Sequence, residues 1–103
     1  YIDMANRCFL FASNATNDSV TVDSDRITDI EVDGTTSVSV NFTLNDGGDG
    51  SILLTVTAGK AERVSREIGR LVLSGRGVIV LGDDVNGIYG IDGIESVGTI
   101  THS

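Results

Sequence analysis

The stretch SVSVNFTLNDGGDGSILLTVTAGKAERVSREIGRLVL, residues 37–73, decides what kind of fold this chain takes. At its start Val38, Val40, Phe42 and Leu44 alternate with Ser37, Ser39, Asn41 and Thr43. Successive side chains on a strand point to opposite faces, so this pattern predicts a half-buried strand with one dry and one wet face. NDGGDG (45–50) is a glycine-rich connection, and SILLTVT (51–57) is the returning strand of a loose antiparallel hairpin. Then the period changes. Ala61, Val64, Ile68, Leu71 and Val72 recur at helical steps, which predicts a helix over about 58–74 with one aliphatic stripe. Thr57 is the expected N-cap, and Ser74-Gly75 the expected stop. Gly69 inside that helix costs about 1 kcal/mol relative to Ala, and close approach of a partner element is one reason to keep it.

Outward from this unit the chain is made of short strands. RCFLFA (7–12), SVTV (19–22) and RITDIEV (26–32) precede it, separated by SNATND and an Asp-rich turn. After the helix, GVIVL (77–81) is a continuous apolar run between glycines, as in a central strand. IYGI (88–91) and GIESVGTI (93–100) are expected as the last two strands. With no proline in the chain, Gly, Asn and Asp do all the punctuation. The expected fold is β-rich α+β: a small bent antiparallel sheet or barrel packed with one α-helix. The whole of 1–103 reads as a single domain, with Met4 as a start and residues 1–3 upstream of it.

Charge narrows the function. Fifteen acids face seven bases, a net charge of −8. Such a surface repels phosphate backbones and anionic membranes. No apolar run reaches the roughly 20 residues of a spanning helix, and the start lacks the pattern of a secretory signal. Cys8, the only cysteine, sits among residues that want burial and reads as a small core residue.

Several stretches invite a chemical reading. TVTAGKAE has one glycine before Lys60 and Ala61 where a phosphate loop needs a hydroxyl, so it is no phosphate cradle. Arg63, Arg66 and Arg70 share one helix face. Glu62 and Glu67 stand four residues from Arg66 and Arg63, so the face reads first as ion pairs in solvent. Its second reading is an interaction surface for an acidic neighbour, such as another copy of this chain. NDGGDG and GDDVNG (82–87) lack the bidentate Glu of a calcium loop and read as solvated turns. The only histidine, His102, is penultimate, a poor place for a catalytic base. No catalytic residue, cofactor or metal ligand is therefore expected.

In MANRCFLFAS, GTTSVSVNF and ILLTVTAGKAERVSREIGRLV, the chain resembles small proteins encoded by marine tailed phages and found in marine environmental sequences. It is similar in plan to Sm-like and SH3-like barrels, although its helix follows the hairpin instead of opening the chain. The phage resemblance implies a noncatalytic virion or assembly protein, self-associating as a homo-oligomer and contacting other virion proteins, in the cytoplasm or the virion. The Sm-like plan implies a nucleic-acid-binding module, which the net charge opposes. A small enzyme using carboxylates of the Asp-rich turns is the third reading.

Overall fold

The computed structural model describes residues 8–44, 47–74 and 77–101. Expectations placed on residues 1–3, Arg7, Asn45, Asp46, Gly75 and His102 lie outside the described residues. In chain order the elements are β1 (Cys8–Ala15), β2 (Asp18–Asp23), a 3-10 turn (Ser24–Arg26), β3 (Ile27–Val32) and β4 (Ser37–Thr43). They continue with β5 (Asp49–Val56), α1 (Ala61–Ser74), β6 (Gly77–Asp83) and β7 (Ile94–Thr101). The fold is the β-rich α+β arrangement that the sequence predicts. The strands divide into two sheets, ordered β2-β1-β6 and β3-β4-β5-β7.

The second sheet is antiparallel throughout and follows from the alternation in β4. Val38, Val40 and Phe42 point into the core, while Ser37, Ser39, Asn41 and Thr43 line the outer face. β5 repeats the alternation, with Ile52 and Leu54 fully buried opposite Val40 and Val38. Wet and dry faces match residue for residue, which fixes the register, since a slip of one residue would turn the dry side outward.

The first sheet contains a pairing that hairpin logic does not supply. β1 is its central strand, antiparallel to β2 but parallel to β6. GVIVL, expected as a central strand, therefore lies at an edge. The segment after it folds back on that edge: Asp83 and Ile88 exchange main-chain hydrogen bonds of 2.8 and 3.1 Å, and the Gly90 amide donates to the Val80 carbonyl at 3.0 Å. IYGI, expected as a strand, supplies only this one bridge. A Cβ on Gly90 would collide with the Val80 carbonyl oxygen, so glycine permits the fold-back.

α1 lies against β3 and β4. It buries Ala61, Val64 and Ile68, and Leu71 and Val72 pack at the margin of the core. Cys8 is buried, with its sulfur 3.9 and 4.0 Å from the Leu71 and Val72 carbonyl oxygens. Thr57 does not cap the helix. Its hydroxyl donates to Glu95 at 2.7 Å instead, and the chain enters α1 through a turn closed by the Lys60 amide on the Thr57 carbonyl at 2.9 Å. At Gly69 no atom of another element lies within 4 Å of where a Cβ would stand, so close approach of a partner does not explain it.

Among the described residues, two side chains join the sheets by hydrogen bonds. Asn14 of β1 donates to the Gly98 carbonyl of β7 at 2.8 Å. Asp84, just past β6, accepts from the Val97 amide at 3.0 and 3.2 Å and from the Tyr89 hydroxyl at 2.7 Å. β7 would otherwise present an edge there. Gly82 brings the strands this close: a Cβ on it would lie 2.6 Å from a Val97 methyl. The inner faces of both sheets and the helix stripe thus enclose one core.

Candidate interaction surfaces

With the aliphatic stripe turned inward, α1 presents its arginines to solvent. Arg63, Arg66 and Arg70 are 65%, 74% and 62% exposed. The (i, i+4) pair of Glu62 and Arg66 forms at 4.0 Å. The other expected pair does not form. Arg63 turns to Asp92 at 3.7 Å, which also takes Lys60 at 3.2 Å, and Glu67 pairs with Arg70 one turn on. Hydrogen bonding to Arg70 holds the Glu67 carboxyl below its ordinary value, and the same contact raises Arg70. The three arginines do not converge. Of the three, Arg63 lines a hollow of about 190 Å³, together with Glu67, Gly90, Ile91 and Asp92.

Charge is segregated along the chain. Residues 8–59 hold eight acids and one base, Arg26, whereas Lys60–Arg70 holds four bases and two acids. The acids of β3 and its neighbours face outward on the second sheet. Asn41 donates to Asp29 at 2.6 Å and to Glu31 at 2.8 Å, and Ser39 donates to Asp33. Asp29, Glu31 and Asn41 border an open hollow of about 300 Å³ that Asp49 also lines.

The carboxylates of GDDVNG are bound into the fold. Asp83 accepts from the Val85 and Asn86 amides and from the Asn86 side chain, which holds its carboxyl below the ordinary value. Asp84 serves the seam between sheets, and its hydrogen bond raises the Tyr89 phenol. Among the described residues, no three His, Cys, Asp or Glu side chains gather in a way that holds a metal ion. No helix of the described residues is long and apolar enough to cross a membrane.

A different surface stands out on the first sheet. Leu10, paired with Val22 and Ile79, points into the core. The alternate residues form two cross-strand rows on the outer face: Asp23, Phe9 and Val78, then Thr21, Phe11 and Val80. Phe9, Phe11, Val78 and Val80 stand outside the core cluster. Val78 is 63% exposed and Phe9 36%, and Ile88, bridged to Asp83 beside β6, is 54% exposed. This surface is absent from the residues that sequence patterning singles out. Its signal was present in CFLFA and GVIVL, which are apolar at consecutive positions and so ask for cover on both faces.

An open hollow of about 400 Å³ adjoins this surface, lined by its Phe9, Thr21 and Asp23 together with Val20, Val22, Arg26, Phe42 and Leu44. Arg26 there donates to the Thr43 carbonyl at 3.4 Å. No family model matches this chain, and no curated protein or solved structure matches it at a significant level.

Proposed function

We propose that this protein is a noncatalytic structural or assembly protein that acts by associating with copies of itself. The observation that carries this reading is the outer face of the first sheet, where Phe9, Phe11, Val78 and Val80 lie outside the core. Contiguous apolar surface on a small domain marks sites of contact with another molecule. A core of this size also leaves a modest margin of stability, which association raises.

The polar groups support the same reading. The aspartates of GDDVNG are engaged with main-chain amides, and the helix cations are balanced by Glu62, Glu67 and Asp92. Arg63, Arg66 and Arg70 form a secondary surface suited to an acidic neighbour. The resemblance to small phage proteins makes a virion or an assembly intermediate the setting of this role.

Size-exclusion chromatography with light scattering over a wide concentration range tests the proposal. The expected result is a mass that is a multiple of the 10.8 kDa chain. A mass of one chain at the highest concentration removes the reading.

A further inference from the structure

We infer that Asn86 is a site of spontaneous covalent modification, in which the Gly87 amide attacks the Asn86 side chain, and that the Asp83 carboxylate is the latch restraining it.

The chemistry follows from the order of residues at the tip of GDDVNG. A main-chain amide one residue past an asparagine can close a five-membered ring on that side chain when no side chain of its own obstructs the approach. The chain has six asparagines, and only Asn86 is followed by glycine. Asn41, by contrast, precedes Phe42 within β4. Asn86 and Gly87 are both exposed. Gly87 has a φ of +68°, in the left-handed region that favours glycine, and no atom beyond its chain neighbours lies within 4 Å of where a Cβ would stand. Its N–H makes no hydrogen bond among the described residues. The nucleophile is uncommitted and its surroundings are open. In the step, the Gly87 nitrogen bonds to Asn86 Cγ and the Cγ–Nδ2 bond breaks. Ammonia leaves, carrying the proton that the Gly87 amide gives up. Water then opens the ring at either carbonyl, giving aspartate or isoaspartate.

Asp83 ties the reacting group down. Nδ2 of Asn86 donates to Asp83 Oδ2 at 2.8 Å, and the Asn86 main-chain N–H donates to Oδ1 at 3.2 Å. A negative charge held against the amide opposes the build-up of electrons on its oxygen as the ring closes. Hydrogen bonding to Asn86 also keeps the Asp83 carboxyl below its ordinary value, so the latch is charged and closed at neutral pH. Ring closure therefore proceeds from the opened turn, and exposed turns open at small cost.

The reaction removes the latch for good. An ionised carboxylate at position 86 has no proton to donate and faces Asp83 as a like charge. Isoaspartate also adds a carbon to the main chain of this turn. Asp83 exchanges main-chain hydrogen bonds with Ile88, which together with the Gly90 amide on the Val80 carbonyl cover the edge of β6. The product carries one more negative charge and a loosened cover over a strand edge, the kind of edge that pairs with other strands.

The test incubates the intact protein in mildly alkaline buffer and follows every asparagine by peptide mapping with mass spectrometry. Asn86 should convert ahead of the other five, to a mixture of aspartate and isoaspartate. Conversion should be on the order of 10-fold faster in Asp83→Ala, with Asp83→Asn between it and wild type. Circular dichroism shows that the variants are folded. In Asn86→Asp, hydrogen exchange should quicken at the Ile88 and Gly90 amides and stay unchanged at Val40 and Leu54. Survival of Asn86 for as long as Asn41 overturns the site. Equal rates in wild type and the folded Asp83 variants overturn the latch, and unaltered exchange at Ile88 and Gly90 in Asn86→Asp overturns the effect on β6.

Discussion

Asp84 accepts the main-chain hydrogen bond of Val97 across the boundary between the two sheets, at 3.0 and 3.2 Å. The contact substitutes a side chain for a missing ladder partner, satisfying an amide on the edge of β7. Replacing Asp84 by Ala leaves that amide and the Tyr89 hydroxyl without their acceptor and is expected to cost about 1–3 kcal/mol. Asp84→Asn retains an acceptor and costs less. Equilibrium unfolding in urea measures both, and an Ala variant as stable as wild type contradicts a seam held by this carboxylate.

Close approach at the same seam depends on Gly82. Adding a methyl group there forces it against Val97 and the Tyr89 ring. Gly82→Ala should therefore destabilise by about 1–3 kcal/mol through overpacking. Thermal melts of the variant check this, since a neutral substitution would mean that β6 and β7 are further apart than described.

The helix gives two substitutions of opposite sign. Ile68 is fully buried, so Ile68→Ala removes packed volume and should cost about 2–5 kcal/mol. Gly69, one residue on, has open space around its missing side chain. Gly69→Ala should stabilise by about 0.5–1 kcal/mol through helix propensity. Chemical denaturation of the two variants reads both values.

Stability should fall at both ends of the pH range. The Asp83 and Glu67 carboxyls are held below their ordinary values of 3.8 and 4.5 by Asn86 and Arg70. A lowered acid stabilises the fold above its unfolded value, and that contribution is lost as pH falls through its folded value. The Tyr89 phenol is raised above 10.0 by its hydrogen bond to Asp84. Its contribution is present below that value and is lost as pH rises through the folded one. Melting temperature should be nearly flat from about pH 5 to about pH 9 and decline outside that window. Tyr89→Phe should lessen the alkaline decline, and an unchanged alkaline limb would contradict the Tyr89–Asp84 pairing.

Single-stranded RNA or DNA should not bind at low salt. The cations on α1 are opposed by local carboxylates, and the rest of the chain is acidic. Fluorescence anisotropy in a salt titration measures this. Binding that weakens with salt would favour a nucleic-acid module.

The readability of the fold varied along the chain with how local its causes are. β4 was legible because Val38 and Ser39 declare their faces without reference to any partner. The helix was legible for the same reason at its own period. The pairing of β1 with β6 was not: CFLFA and GVIVL state that two faces want cover, but not which strand supplies it. GDDVNG was legible as a turn, whereas Asp84 as a clamp was hidden because its acceptor role involves Val97, thirteen residues away and on another sheet. Thr57 looked like a cap from its neighbours alone, and Glu95 drew its hydroxyl away. The arginine stripe was visible at once. The apolar surface on the other side of the core emerged only when the first sheet was seen to have one side packed.

Hydroxyl-radical footprinting of the aromatic residues in dilute and concentrated solution tests the central claim most directly. Phe9 and Phe11 lie on the face assigned to contact, whereas Phe42 is already enclosed in the core. The account predicts that oxidation of Phe9 and Phe11 falls as concentration rises while Phe42 stays protected throughout. Reactivity at Phe9 and Phe11 that is indifferent to concentration, in a protein shown by mass to have associated, would contradict it.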